Sequence, residues 1–298
     1  MEIGVPIAAV PDLKPFIVLG LALGGVFALS GVGLVVLFRA TGVVNLAYGA
    51  VGAFGALITW QLINEAGWNE WLAFAACVLF GGVITLVYGY FFGPLLAQRD
   101  PLVKATATLG VLLILLGLAS WIWGDDARSI VLPTTSKGFN IGEVRVNYTQ
   151  ILALALALVV TGGTAVFLQA TKLGTAMRSL ANDREITAML GVPVRRVEAA
   201  AWLGSGLLSG LTGLLLSNLV GLDMVGLTFL VIAALAAALI GQLQSLWVTL
   251  LAGLAIGIVQ ACATPFESIG GYRSMTPFLF AIVALLWFAR KQPALVRV

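Results

Sequence analysis

Acid–base, metal or nucleophilic chemistry needs histidines, clustered carboxylates or an activated thiol, and this chain supplies almost none of these. It contains no histidine, which removes histidine-based metal sites, Ser-His catalysis and histidine pH switching together. Cys77 and Cys262 each stand alone inside an apolar segment and read as small buried hydrophobes. No Gly-x-x-x-x-Gly-Lys-Ser/Thr run occurs, so nothing here can bind ATP. No catalytic residue, metal site or cofactor is therefore expected in the chain. Two groups of polar residues remain: Asn45, Tyr48 and Thr108 near the ends of apolar runs, and the charged series Arg178, Asp183, Arg184 and Glu185.

Asn45 follows Thr41 and Gly42. A broken or late-starting helix there would expose backbone groups to a solute, as the half-helices of transporters do. The same asparagine could equally cap the second helix or bond a neighbour across an interface. Tyr48, three residues on, is expected on a similar face of the same cavity, and Thr108 opens a later run.

These residues must be held by apolar elements. Hydrophobic residues make up 60% of the 298 and charged residues 10%, where a soluble domain carries about 25% charged residues; mean hydropathy is +1.06. Apolar runs of about 20 residues span a bilayer as helices, and the runs here are continuous rather than alternating, which excludes a β-barrel. The fold class expected is an all-α integral membrane protein, a single transmembrane domain over 1–298. Nine spans are predicted, near 16–38, 43–63, 71–97, 105–123, 148–170, 198–220, 225–244, 247–264 and 274–290. The seventh and eighth are divided only by Gly241-Gln242-Leu243-Gln244-Ser245, and either could be partial or re-entrant. Glu2 and Asp12 precede the first run, which is too long and too acid-led for a cleaved signal.

Lys and Arg orient the bundle. One set of loops holds Arg39, Arg99, Lys104, Lys172, Arg178, Arg184, Arg195, Arg196, Arg290, Lys291 and Arg297, eleven of the sixteen cations. That set is read as cytoplasmic, with the N-terminus outside and the C-terminus inside. The external segment 124–147 alternates at Ile141, Val144 and Val146 beside Gly142, which suits a small β-hairpin over the outer mouth or an ordered loop. The cytoplasmic segment 171–197 repeats Met177, Leu180, Ala181, Ala188 and Met189 near helical spacing and predicts a short amphipathic helix stopped by Gly191 and Pro193. Such a helix docks in a partner's groove or lies on lipid headgroups. Gly206/Gly210 and Gly253/Gly257 have close-packing spacing. No charge falls at the middle of a predicted span, which disfavours ion-coupled carriers.

Three segments carry a resemblance. Gly174-Thr-Ala-Met-Arg-Ser-Leu-Ala-Asn-Asp-Arg-Glu-Ile-Thr-Ala-Met-Leu-Gly191 resembles the ATPase-coupling loop of the branched-chain amino acid permeases of ABC importers (LivH-like subunits). Gly42-Val-Val-Asn45-Leu-Ala-Tyr48-Gly49 resembles the family's Gly-Ile-Ile-Asn-Phe-Ala-His-Gly, with Tyr48 in place of the usual histidine. Ala107-Thr108-Leu109-Gly110 is the third. Gly241-Gln242-Leu243-Gln244-Ser245 departs from the family's Gly-Gly-x-Gly-Ser turn. The resemblance implies a permease subunit in a bacterial inner membrane, moving a branched-chain amino acid or similar small solute. It implies as partners a LivM-like second permease, two cytoplasmic ATPases that bind the ATP, and an external binding protein. Arg178, Asp183, Arg184, Glu185, Leu190 and Gly191 would then couple to the ATPases, and Asn45, Tyr48 and Thr108 would line the path. The rival readings are a solitary carrier or channel for a solute such as urea or an amide and, more remotely, an intramembrane enzyme.

Overall fold

The computed structural model describes residues 12–291 except 127, 142–143, 267–271 and 273–274. Glu2, Gly142, Arg273 and Arg297 lie outside the described residues. The elements are α1 (Lys14–Thr41), α2 (Tyr48–Asn64), α3 (Glu70–Leu96), α4 (Pro101–Trp123), β1 (Gly138–Ile141), β2 (Val144–Asn147), α5 (Tyr148–Ala170), α6 (Lys172–Asn182), α7 (Arg184–Met189), α8 (Val194–Val220), α9 (Met224–Phe229), α10 (Val231–Ile240), α11 (Leu246–Ala263) and α12 (Thr276–Lys291). Six of these, α1, α3, α4, α5, α8 and α11, are long and apolar enough to cross a bilayer. The second, seventh and ninth predicted runs correspond to shorter helices, α2 with 17 residues, the α9–α10 pair and α12 with 16.

Local signals in the sequence explain most boundaries. Helix α1 closes on Gly42, which takes the left-handed conformation and donates its N–H to the Phe38 carbonyl. Asn69 caps α3, Ser245 caps α11, and Asn147 with Gln150 forms a capping box at α5. The seventh run is not one rod over 225–244: it breaks at Leu230, after a weak helix-forming stretch that contains Gly226 and Thr228. The break lets the Thr228 backbone lie on α2, where Gly49 leaves no room for a side chain. Strands β1 and β2 do pair as an antiparallel hairpin, with Ile141 opposite Val144.

Helix α1 is the central rod, surrounded by α5, α8, α10 and α11. Contacts at its seam with α11 are backbone to backbone: methyl groups on Gly24 or Gly257 would strike the opposing main chain. Helices α3 and α8 meet in the same way through Gly81, Gly206 and Gly210. In lipid there is no hydrophobic drive between helices, so close van der Waals approach of small residues supplies the attraction. Both glycine pairs singled out in the sequence therefore serve packing. Helices α4 and α5 stand at the rim with Ile114 and Val159 outward, an apolar coat suited to lipid or another apolar surface.

Candidate functional site

Between α1 and α2 the chain runs non-helically through Val43 to Ala47, with Val43, Asn45 and Ala47 buried and Val44 and Leu46 half-buried. Backbone polar groups in such a place must find partners within the protein. The Thr108 hydroxyl on α4 accepts from Leu46 N at 3.0 Å and donates to the Ala105 carbonyl at 2.7 Å. Asn45 Oδ1 accepts from Ala47 N at 3.0 Å, and Thr41 Oγ1 accepts from Val43 N at 3.2 Å. Asn45 is thus a turn-capping residue at the entrance to α2 and also part of a cavity wall.

That cavity lies between α2, α3, α4 and α8, lined by Asn45, Val51, Ile84, Thr108, Val111 and Trp202. Its free space is about 10 Å³, room for no more than about one water. A second cavity of about 20 Å³ adjoins it toward the α6–α7 end, lined by Thr41, Gly93, Lys104 and Glu198 among others. Tyr88 and Trp202 border both. Their rings meet edge-on with centroids 4.9 Å apart, and Thr85 Oγ1 ties α3 to the Trp202 carbonyl at 2.9 Å. Tyr48 does not share the Asn45 cavity as expected. Helix α2 begins only at Tyr48, so helical spacing does not relate the two residues. Its phenol points to the opposite side, beside Ser30 and Thr212, and the hydroxyl is fully enclosed without a hydrogen bond of good geometry.

At the other candidate region the single amphipathic helix expected across 171–197 is two helices. Asp183 interrupts the run with an extended backbone and caps α7 by accepting from Ile186 N at 2.9 Å. Helix α6 buries Met177 and Leu180 against the bundle. Helix α7 turns its apolar residues outward: Ile186, Met189 and Leu190 are exposed, Leu190 by 77%. Gly191 then reverses the chain at φ +81. Glu185 is exposed in the first turn of α7, whereas Arg178 on α6 is half-buried with its Nε enclosed. Arg184 faces back into the protein, its Nε donating to Glu198 Oε1 of α8 at 3.0 Å.

The family described as branched-chain amino acid transport system / permease component matches residues 16–288. The chain belongs to that family. It is 26% identical over 287 residues to the high-affinity branched-chain amino acid transport system permease protein BraD of Pseudomonas aeruginosa, covering 90% of this chain and 91% of BraD. Identity to LivH of Escherichia coli, the corresponding high-affinity permease protein, is 23% over 282 residues, with 90% and 91% coverage. The fructose import permease protein FruG of Bifidobacterium longum matches at 27% over 198 residues, 61% of this chain and 53% of FruG. With six bilayer-length helices among its described residues, this permease is a multi-pass membrane protein.

The permease brings Asn45 and Thr108 together, sets Tyr48 apart, and separates Arg184 from the exposed tip of α7. Sequence reasoning did not single out Tyr88, Trp202 or Glu198 as site residues. Aromatics in apolar runs carry no signal of their own; Glu198, the carboxylate at the mouth of a span, was the one available hint.

Proposed function

We propose that this permease is one membrane subunit of an ATP-driven importer in a bacterial inner membrane. The observation that carries the reading is the outward-facing apolar tip of α7, Ile186, Met189 and Leu190, on a helix fixed at both ends. An apolar helix edge presented away from its own protein suits insertion in a partner's groove. The partners are two cytoplasmic ATPases, with a LivM-like second permease alongside and an external binding protein delivering solute. Asp183 and Gly191 shape the tip, Glu185 flanks it, and Leu190 is its most prominent apolar contact together with Met189. Arg178 lies behind the tip as support.

In this reading the nine apolar runs each traverse the bilayer, α9 and α10 as a broken span, with the N-terminus outside and the C-terminus inside. The solute crosses by alternating access beside Asn45 and Thr108. Names of the relatives favour a branched-chain amino acid. The Asn45 cavity supports a solute without net charge, because no ionisable group except the Tyr88 phenol borders it.

The test is recovery of an ATPase pair with tagged permease after gentle extraction from its own host. Wild type brings the pair down, and Met189→Asp/Leu190→Asp loses it, because two carboxylates would have to be desolvated in the groove. If wild-type permease recovers no ATPase yet transports leucine in vesicles, the importer reading is wrong and the solitary carrier replaces it.

A further inference from the structure

We infer that Tyr88 and Trp202 form the gate on the α6–α7 side of the solute path and that the Arg184–Glu198 pair is the strut that moves it. This rests on the importer reading and deepens it. Trp202 is buried at 3% exposure and, with Tyr88, separates the Asn45 cavity from the Lys104–Glu198 cavity. A solute leaving the first for the second has to displace one of these rings. The indole has a fitted seat: a methyl group at Gly89 would overlap it, and Phe92 stacks on the far side of Tyr88 with centroids 5.4 Å apart.

Glu198 and Trp202 are four residues apart on α8 and so share a face one turn apart. Glu198 is itself nearly buried, its side chain 11% exposed, and its partner Arg184 stands at the first position of α7. Any displacement of α7 along the bundle therefore pulls on the α8 turn that carries the indole. A charge-paired link between two rigid helices transmits such a motion, where a flexible loop would dissipate it. Arg184 becomes a positioning residue of the permease, and the groove contact belongs to Met189 and Leu190. Both cavities are too small for an amino acid, so the structure corresponds to a closed gate.

The experiment uses the assembled transporter with its own ATPases and external binding protein in proteoliposomes, measuring leucine uptake and ATP hydrolysis together with ATPase recovery. For Glu198→Gln, ATPase recovery and hydrolysis are expected to persist while uptake per ATP falls about tenfold. The reversed pair Arg184→Glu/Glu198→Arg restores most of the uptake, which a purely structural loss would not do. Trp202→Ala makes leucine leak without ATP, and Gly89→Ala, by unseating the indole, leaks in the same direction. Uptake per ATP unchanged in Glu198→Gln overturns the strut, and so does ATPase loss in that variant with wild type intact. A leak-free Trp202→Ala overturns the gate. Absence of ATPase from the wild type defeats the importer reading first, and the strut with it.

Discussion

A single hydroxyl shows why Thr108 was visible in the sequence although its work was not. A threonine in an apolar run attracts attention as a ligand contact, yet here it satisfies backbone groups of a neighbouring buried link. Replacing Thr108 with the isosteric valine leaves Leu46 N–H without a partner and is expected to cost about 1–2 kcal/mol. Thr108→Ser keeps the hydroxyl and most of the stability. Denaturant midpoints of the purified permease would check this; equal midpoints for Val and Ser would deny the hydroxyl a structural role. For Asn45, capping the second helix and lining the solute path stood as alternatives in the sequence; its side chain closes the turn just before α2 by accepting from Ala47 N, and it borders the cavity. Tyr48 was not legible, because spacing arguments assume a continuous helix and the helix starts at that residue. At Arg184 the sequence could not reveal a partner fourteen residues away. With the arginine 41% exposed the pair contributes about 1 kcal/mol or less to stability, so loss of the proposed coupling can be read with little loss of the fold.

Among elements, long apolar runs were legible because membrane helices must satisfy their own backbones. Breaks were harder, since they depend on tertiary partners. The α9–α10 break answers to the backbone of α2, and the α6–α7 break to the capping carboxylate of Asp183. The turn from α10 to α11 is a further instance. Gln242 and Leu243 both adopt left-handed backbone, φ 55 and 54, without being glycine. Each such residue costs about 1–2 kcal/mol. Gln242→Gly removes that strain and adds about 0.5–1 kcal/mol of unfolded-chain entropy loss, so a net stabilisation of about 0.5–1 kcal/mol is expected by the same midpoints. The Arg39 guanidinium reaches the Gln244 carbonyl at 3.4 Å, so this turn is anchored to the end of α1. A destabilised Gln242→Gly would mean that the glutamine side chain, rather than the backbone, holds the turn.

Over the whole molecule, the charge argument gains from the fold because it no longer depends on counting spans. Arg39 meets the α10–α11 turn, Arg184 meets Glu198 at the start of α8, and Arg195 stacks over Tyr90 near the end of α3 with its guanidinium 4.7 Å from the ring centroid. Lys104 shares a cavity with Glu198, and Arg99 a cleft with Arg184. Cations dispersed through the sequence thus gather at one end of the bundle, the end that carries α6 and α7. The β1–β2 hairpin is instead contiguous with the far end of α5. A positive end resists translocation, so the proposed orientation, with this end in the cytoplasm, holds whether or not α9–α10 crosses completely. In a permease whose Cys262 is replaced by alanine, with Cys77 left buried, a membrane-impermeant maleimide should label Ser136→Cys on intact cells. Leu190→Cys should react only after the membrane is opened and the docked ATPases are stripped off, because its exposed position lies on α7's side. The reverse pattern would turn the whole molecule over and leave the α7 tip facing away from any cytoplasmic ATPase, so this labelling tests the orientation and the docking surface in one measurement.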